Sequence, residues 1–257
     1  MTAVPQAEQI YVDLDPTQVL AAHARHRRRF AEEAASLDDG GLKTQSRCTK
    51  WTTADVLRHL CDVDSWMHAI WTGGPFPLTS FDPNTTPHEF VLKGRDTPDR
   101  QVLDNFVASS ERMAADVESG GAERWGLASL SPVGAVPWWL SALHVFYDSW
   151  VHERDALMPA GVTPPVLPDE ATPVLTYSLA LTGTFGRKEL DTVVSGVHLV
   201  AGEGPAVASP VGALEGDVGA LIDALNGRRN LEDILTNADA EVRRRLGALS
   251  RFFGNAA

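Results

Sequence analysis

The chain has 257 residues, enough for one large core or two modest domains, and its 44% hydrophobic and 22% charged shares are those of an ordinary soluble protein. A net charge of −12 and a pI near 5.0 argue against nucleic-acid binding, because the one basic run that stands clear of acidic neighbours on its N-terminal side, His26 to Arg29, continues into Glu32 and Glu33. No apolar run is long enough to span a bilayer, the N-terminus lacks a signal-peptide pattern, and two cysteines, Cys48 and Cys61, make no disulfide framework; a cytoplasmic protein with reduced thiols and no membrane partner is expected.

The spacing predicts a first helix from about Pro16 to Ser36, with Asp15 as its cap and Pro16 in its first turn. A second starts near Thr52 with Asp55 three residues on, carries Val56, Leu57, Leu60, Val63 and Met67 at helical spacing, and ends before Gly73-Gly74-Pro75. Residues 74–97, rich in Pro, Thr, Asp and Asn, read as a long loop that covers a site. Pro98 opens a third helix to about Glu118 and Pro137 a fourth to about Leu157, with Pro159 and Gly161 closing it. Four such helices fit an antiparallel bundle. Residues 161–169 read as a linker and Glu170 to Phe185 as a further helix. Beyond it the pattern changes to strand-like stretches over Asp191–Val200 and Ala206–Pro210, followed by helices over Gly216–Leu225 and Asp239–Phe253.

Two segments about ninety residues apart carry metal-ligand chemistry. Asp148 and His152 are four apart on one helix, so their side chains share a stripe. His59, on the second helix, can add a third ligand from a facing element, and a set of three leaves coordination positions open, as a catalytic site does. The plain alternatives are a hydrogen-bonded core histidine at 59 and a local ion pair between 148 and 152. His144, one turn before Asp148, suits a fourth ligand, a partner that orients a ligand, or a general base. Asp155 can accept the proton on the far nitrogen of His152, or pair with Arg154 or Arg58. Arg228, after Asn226-Gly227, can grip a carboxylate of substrate or cofactor, or sit with Arg229 as a solvated cation past a helix end. Cys48 and Cys61 read as small buried apolar residues.

Three motifs in order resemble the mycothiol-dependent maleylpyruvate isomerase family of the DinB-like superfamily. They are Trp51-Thr-Thr-Ala-Asp-Val-Leu-Arg-His59-Leu60, the run from Asp148 through His152 to Asp155, and Leu221 to Arg229 with Gly227-Arg228. The resemblance implies a mainly α protein, a DinB-like antiparallel four-helix bundle over residues 1–165 followed by a small α+β C-terminal domain over 166–257. It implies a divalent metal, zinc first, on His59, Asp148 and His152, and mycothiol as thiol cofactor. The best-known isomerase has Glu where this chain has Asp148. The function expected is activation of a small thiol for isomerase or S-transferase chemistry on an electrophilic small molecule, in a monomer or homodimer, with Arg228 and His144 as further catalytic candidates. Nickel, iron or manganese also suit two imidazoles and a carboxylate. A non-catalytic DinB-like binding or stress protein, a metal-assisted hydrolase and a biosynthetic enzyme on the same fold are the alternatives.

Overall fold

Asp15 accepts the amide of Thr17 and Pro16 stands in the first turn, so helix α1 (Pro16–Ala35) begins where its cap fixes it. The computed structural model describes residues 14–75, 78, 81–82, 85–131, 134–184, 198–199, 207–209, 212–214, 217–234, 240, 243, 246–247 and 250–251. After α1 come α2 (Asp39–Lys43), α3 (Thr53–Trp71), α4 (Thr86–Gly94), α5 (Asp99–Gly120), a single 3-10 turn, a hairpin of β1 (Ala128–Ser131) and β2 (Gly134–Pro137), α6 (Trp138–Leu157) and α7 (Pro168–Thr184). Strands β3 (His198–Leu199), β4 (Val207–Ser209) and β5 (Gly212–Leu214) pair antiparallel in that order, and α8 (Val218–Leu225) and α9 (Leu231–Ile234) follow. The fold is mainly α. No helix among the described residues is long and apolar enough to cross a membrane. The chain divides into two compact units, one built on Asp15–Glu170 and the other on Ala171–Asn255.

In the first unit α1 packs on α5 and α6, and α3 packs on the same two helices. Side-chain pairs give the directions. Arg100 donates to the carbonyl of Leu37 while Arg28 reaches Glu111 and Glu118, so α1 and α5 are antiparallel. Arg58 meets Asp99, Asp64 meets Ser109 and His68 meets Asp116, so α3 and α5 are parallel. Thr53 bonds Ala156 and Trp71 bonds Ser141, so α3 and α6 are antiparallel.

The parallel pair explains the long segment after α3. A helix of 19 residues spans about 28 Å, and the chain must travel back that distance before α5 can run alongside α3. Within this segment the expected loop contains a helix, α4, whose Pro87 sits in the first turn and whose Val91 is buried. The β1–β2 hairpin was also not expected. It delivers the chain into α6 through the Trp138 amide on the Leu127 carbonyl. The predicted strand over 191–200 is described only at His198–Leu199, and the predicted helix over 239–253 lies mostly outside the described residues.

Two apolar clusters fill the bundle. One holds Phe30, Leu57, Leu60, Leu103, Phe106 and Leu157; the other holds Leu20, Met67, Trp71, Met113, Trp138 and Val145. Between them on all four helices lies a polar layer. Arg27, wholly buried, donates to Ser149, Ser110 and Asp64, and Ser109 also donates to Asp64. The His26-to-Arg29 run is therefore not a solvated patch, since His26 and Arg27 point inward and Arg29 holds buried Glu153 and Glu170.

His23, one turn earlier, stacks on Phe146 at 4.7 Å between centroids, and its Nε2 has no hydrogen-bond partner. Burial, helped by the charge of Arg27, lowers its pKa to about 3. Between the ordinary value of about 6.5 and that value, the unfolded chain binds a proton that the folded one does not. Stability is thus complete above the window and lost as pH falls through it, by up to about 1.4 kcal/mol per unit. His23→Phe is expected to flatten this acid loss, measured as the difference in urea midpoint between pH 7 and pH 4.5. An unchanged difference would show that His23 does not drive it.

Candidate metal centre

Helix α3 is started by a reciprocal cap: Thr52 accepts the Asp55 amide at 3.2 Å, and the Asp55 carboxylate accepts the Thr52 amide at 3.2 Å. This fixes the phase of α3 and turns His59 toward α6. From α6 come Asp148 and His152, one turn apart. His59 Nε2 lies 3.4 Å from Asp148 Oδ2, and His152 Nε2 lies 3.6 Å from Asp148 Oδ1. The three donors fall within 4.8 Å of one another. Donors held at about 2.0–2.2 Å around a tetrahedral cation stand roughly 3.3–3.6 Å apart, so the cluster needs only a small contraction to close on one ion.

Asp148 Oδ2 is buried and takes no hydrogen bond, although His59 stands close. A buried carboxylate oxygen faced by an imidazole with no hydrogen bond formed is under-satisfied, and a cation would satisfy it. The electrostatics are consistent. Burial would raise the Asp148 carboxyl, but His59 and His152 outweigh it and hold it well below the usual carboxylate range. Burial would lower the His59 imidazole, but Asp148, with Asp62 and Asp64, outweighs it and raises the pKa.

The far side of His152 is equally built. Its Nδ1 lies 3.1 Å from Asp155 Oδ2, and Asp155, fully buried, also accepts from Cys48 Sγ at 3.2 Å and pairs with Arg47 at 3.4 Å. Asp155 is thus partnered by Arg47 rather than by Arg154 or Arg58, which are taken by Glu153 and by Asp55 and Asp99. Cys48 is buried as expected, yet it is no plain apolar filler, since its sulfur lies 3.8 Å from His152 Nδ1. Cys48, His152 and Asp155 form a second group with metal-ligating atoms within 4.8 Å. Trp51 covers both imidazoles, 5.1 Å from His59 and 5.9 Å from His152 between centroids, and its indole N–H donates to His88 of α4 at 3.1 Å.

Residues 23–157, slightly more than half of the chain, match the family model described as mycothiol maleylpyruvate isomerase N-terminal domain. The chain belongs to this family. Among solved structures, it is similar to a mycothiol-dependent maleylpyruvate isomerase at 16% identity and a TM-score of 0.61, covering 86% of this chain and 93% of that one. It is similar also to a mutant of that isomerase with a histidine replaced by alanine, at 15% identity with the same TM-score and coverage. At such identity the likeness is one of fold, the mainly α DinB-like fold. A comparison with curated protein sequences gave no match.

The mycothiol maleylpyruvate isomerase N-terminal domain thus runs from α1 to the end of α6, and His59, Asp148 and His152 all lie inside it. Two other candidates stand elsewhere. His144 is on the same stripe of α6, but it belongs to neither group of close ligand atoms, and burial lowers its pKa. Arg228 belongs to the second unit. There Gly227 takes a left-handed turn (φ 70°), the Arg228 amide closes on the Asp223 carbonyl, and the guanidinium donates to the Asn226 carbonyl at 2.9 Å. Cys61 faces Ser109, and burial pushes its thiol up to about 12, which disqualifies it as a nucleophile near neutral pH.

Sequence reasoning missed Arg47, Cys48 and His88 as parts of the site. None carries a local signal, because each meets its partner only through the tertiary fold.

Proposed function

We propose that this chain is a metal-dependent enzyme that activates a small thiol, mycothiol, for isomerase or S-transferase chemistry on an electrophilic small molecule. The observation that carries the reading is the clustering of ligand atoms from His59, Asp148 and His152 within 4.8 Å of one another, beside a buried carboxylate oxygen that takes no hydrogen bond. The proposed ion is zinc, for which two imidazoles and a carboxylate are a usual catalytic set. A divalent ion held there supplies a Lewis acid that lets a thiol lose its proton near neutral pH.

The chain's own residues do the rest. His59 and His152 present ring nitrogens from two helices fixed by the bundle core, and Asp148 brings one negative charge between them. Trp51 packs over both rings, keeps them in place and excludes water from that side. Arg228, in the second unit, is assigned to binding a carboxylate through its planar guanidinium, and His144, in the first, to proton transfer. In the isomerase form, the thiol sulfur bonds to one carbon of a conjugated double bond, the former double bond rotates, and the sulfur–carbon bond breaks to return the thiol. In the transferase form that bond is kept.

The test is consumption or isomerisation of a conjugated electrophile with mycothiol, on protein of known metal content, with and without chelator. Chelation is expected to abolish turnover and added zinc to restore it. Turnover that ignores the chelator would overturn metal activation. Stoichiometric metal without thiol chemistry would leave the binding-protein alternative standing.

A further inference from the structure

We propose that Asp155, anchored by Arg47, is the positioning residue that fixes His152 with its proton on Nδ1 and its Nε2 lone pair toward Asp148 and His59. In this arrangement Cys48 serves the same carboxylate as a donor and is withheld from the metal. The inference rests on the metal reading above and decides between the two groups of close ligand atoms that share His152.

An imidazole binds a cation through one nitrogen while the other carries a proton, and the acceptor beside that proton selects the tautomer. His152 has a carboxylate at each end, Asp148 Oδ1 at 3.6 Å from Nε2 and Asp155 Oδ2 at 3.1 Å from Nδ1. Only the second distance and partner make a hydrogen bond. Asp155 is an acceptor with no exposure, set three residues along the same helix, so it cannot follow the ring if the ring turns. Its other oxygen meets the Arg47 guanidinium, and the Arg47 amide donates to its main-chain carbonyl at 3.0 Å.

The loop that carries Arg47 and Cys48 is itself braced. Ser46 Oγ reaches the Trp51 carbonyl at 2.7 Å and accepts the Cys48 amide at 3.1 Å, and Gln45 donates to the carbonyls of Cys48 and Trp51, both at 2.8 Å. This brace aims the Cys48 S–H at Asp155. With Nδ1 protonated and the thiol turned to Asp155, each must lose a proton before it can ligate an ion, and Nε2 is the atom that needs no such loss.

The experiment is zinc competition against a chromophoric chelator, with the absorption spectrum of the cobalt-loaded protein and the nitrogen-15 spectrum of its histidine rings. Asp155→Ala is expected to weaken zinc by about 10–100-fold, with partial recovery in Asp155→Glu. The cobalt protein should lack a thiolate charge-transfer band, and its absorption spectrum should keep the same shape in Cys48→Ser. The wild-type His152 ring should show the Nδ1–H tautomer, a readout that needs no variant to fold. Unchanged affinity in Asp155→Ala, an Nε2–H ring, or a thiolate band that vanishes in Cys48→Ser would each overturn the proposal. Failure of the wild type to bind zinc at all would instead sink the metal reading, while the ring spectrum would still decide the tautomer.

Discussion

His59→Ala is expected to strip the protein of metal and of turnover together. His59 is the sole donor of the set that comes from α3, and Asp148 and His152 left alone on α6 are only an i, i+4 pair. Two donors on one helix hold a divalent ion weakly, because no second element closes the site. The loss should exceed the roughly 10–100-fold that follows from losing a residue behind a ligand. Elemental analysis after dialysis should fall from one equivalent to none, while circular dichroism stays that of the parent. Asp148→Glu makes the complementary case: the longer carboxylate restores the residue of the best-known isomerase and should retain metal. A His59→Ala protein that keeps one equivalent would refute the ligand assignment.

The second large effect is on stability. Arg27→Met removes the cation bonded to Asp64 in a layer closed to water. The carboxylate is already under strain, since burial raises its pKa against the pull of Arg27 and Ser109, and its Oδ1 has no partner. Removing one member of a buried ion pair costs about 3–5 kcal/mol, because the other is left charged and dry. For a unit of this size that is a fall in Tm of roughly 6–20 °C. Arg27→Met combined with Asp64→Leu should recover most of it, as apolar residues of similar volume often replace a buried pair without loss. A single variant as stable as the parent, or a double variant no better than the single, would contradict this account.

What could be read in the chain was local. Asp15, Thr52 and Asp55 announce helix starts because a cap bonds within three residues, and the Asp148–His152 stripe follows from helical spacing alone. The four bundle helices and the candidate ligands were legible for that reason, but the parallel run of α3 beside α5, in a bundle expected to be antiparallel, was not. Asp155 was legible only as one of two options, since its deciding partners, Arg47 and Cys48, are more than a hundred residues away. The burial of Arg27 was not legible, because charge in a sequence says nothing of which face a helix turns inward. Helix α4 was hidden by the Pro and Thr around it, which serve there to start a helix rather than to avoid one.

The order of helices around the bundle also sets a timetable. The candidate ligands lie on α3 and α6, neighbours in space but separated in the chain by α4, α5 and the hairpin. The pairing of α1 with α5 and of α3 with α5 needs only residues up to Gly120, whereas a chain still being synthesised has no carboxylate or second imidazole to offer until α6 emerges. Domains form from the N-terminus as the ribosome delivers them, and distant contacts close last. On the proposed ligand set, no cation can be held before α6 emerges, so it cannot template the helices made earlier. Nascent chains arrested before residue 148 should be protease-resistant in part yet blind to zinc, which makes metal uptake a marker of finished assembly.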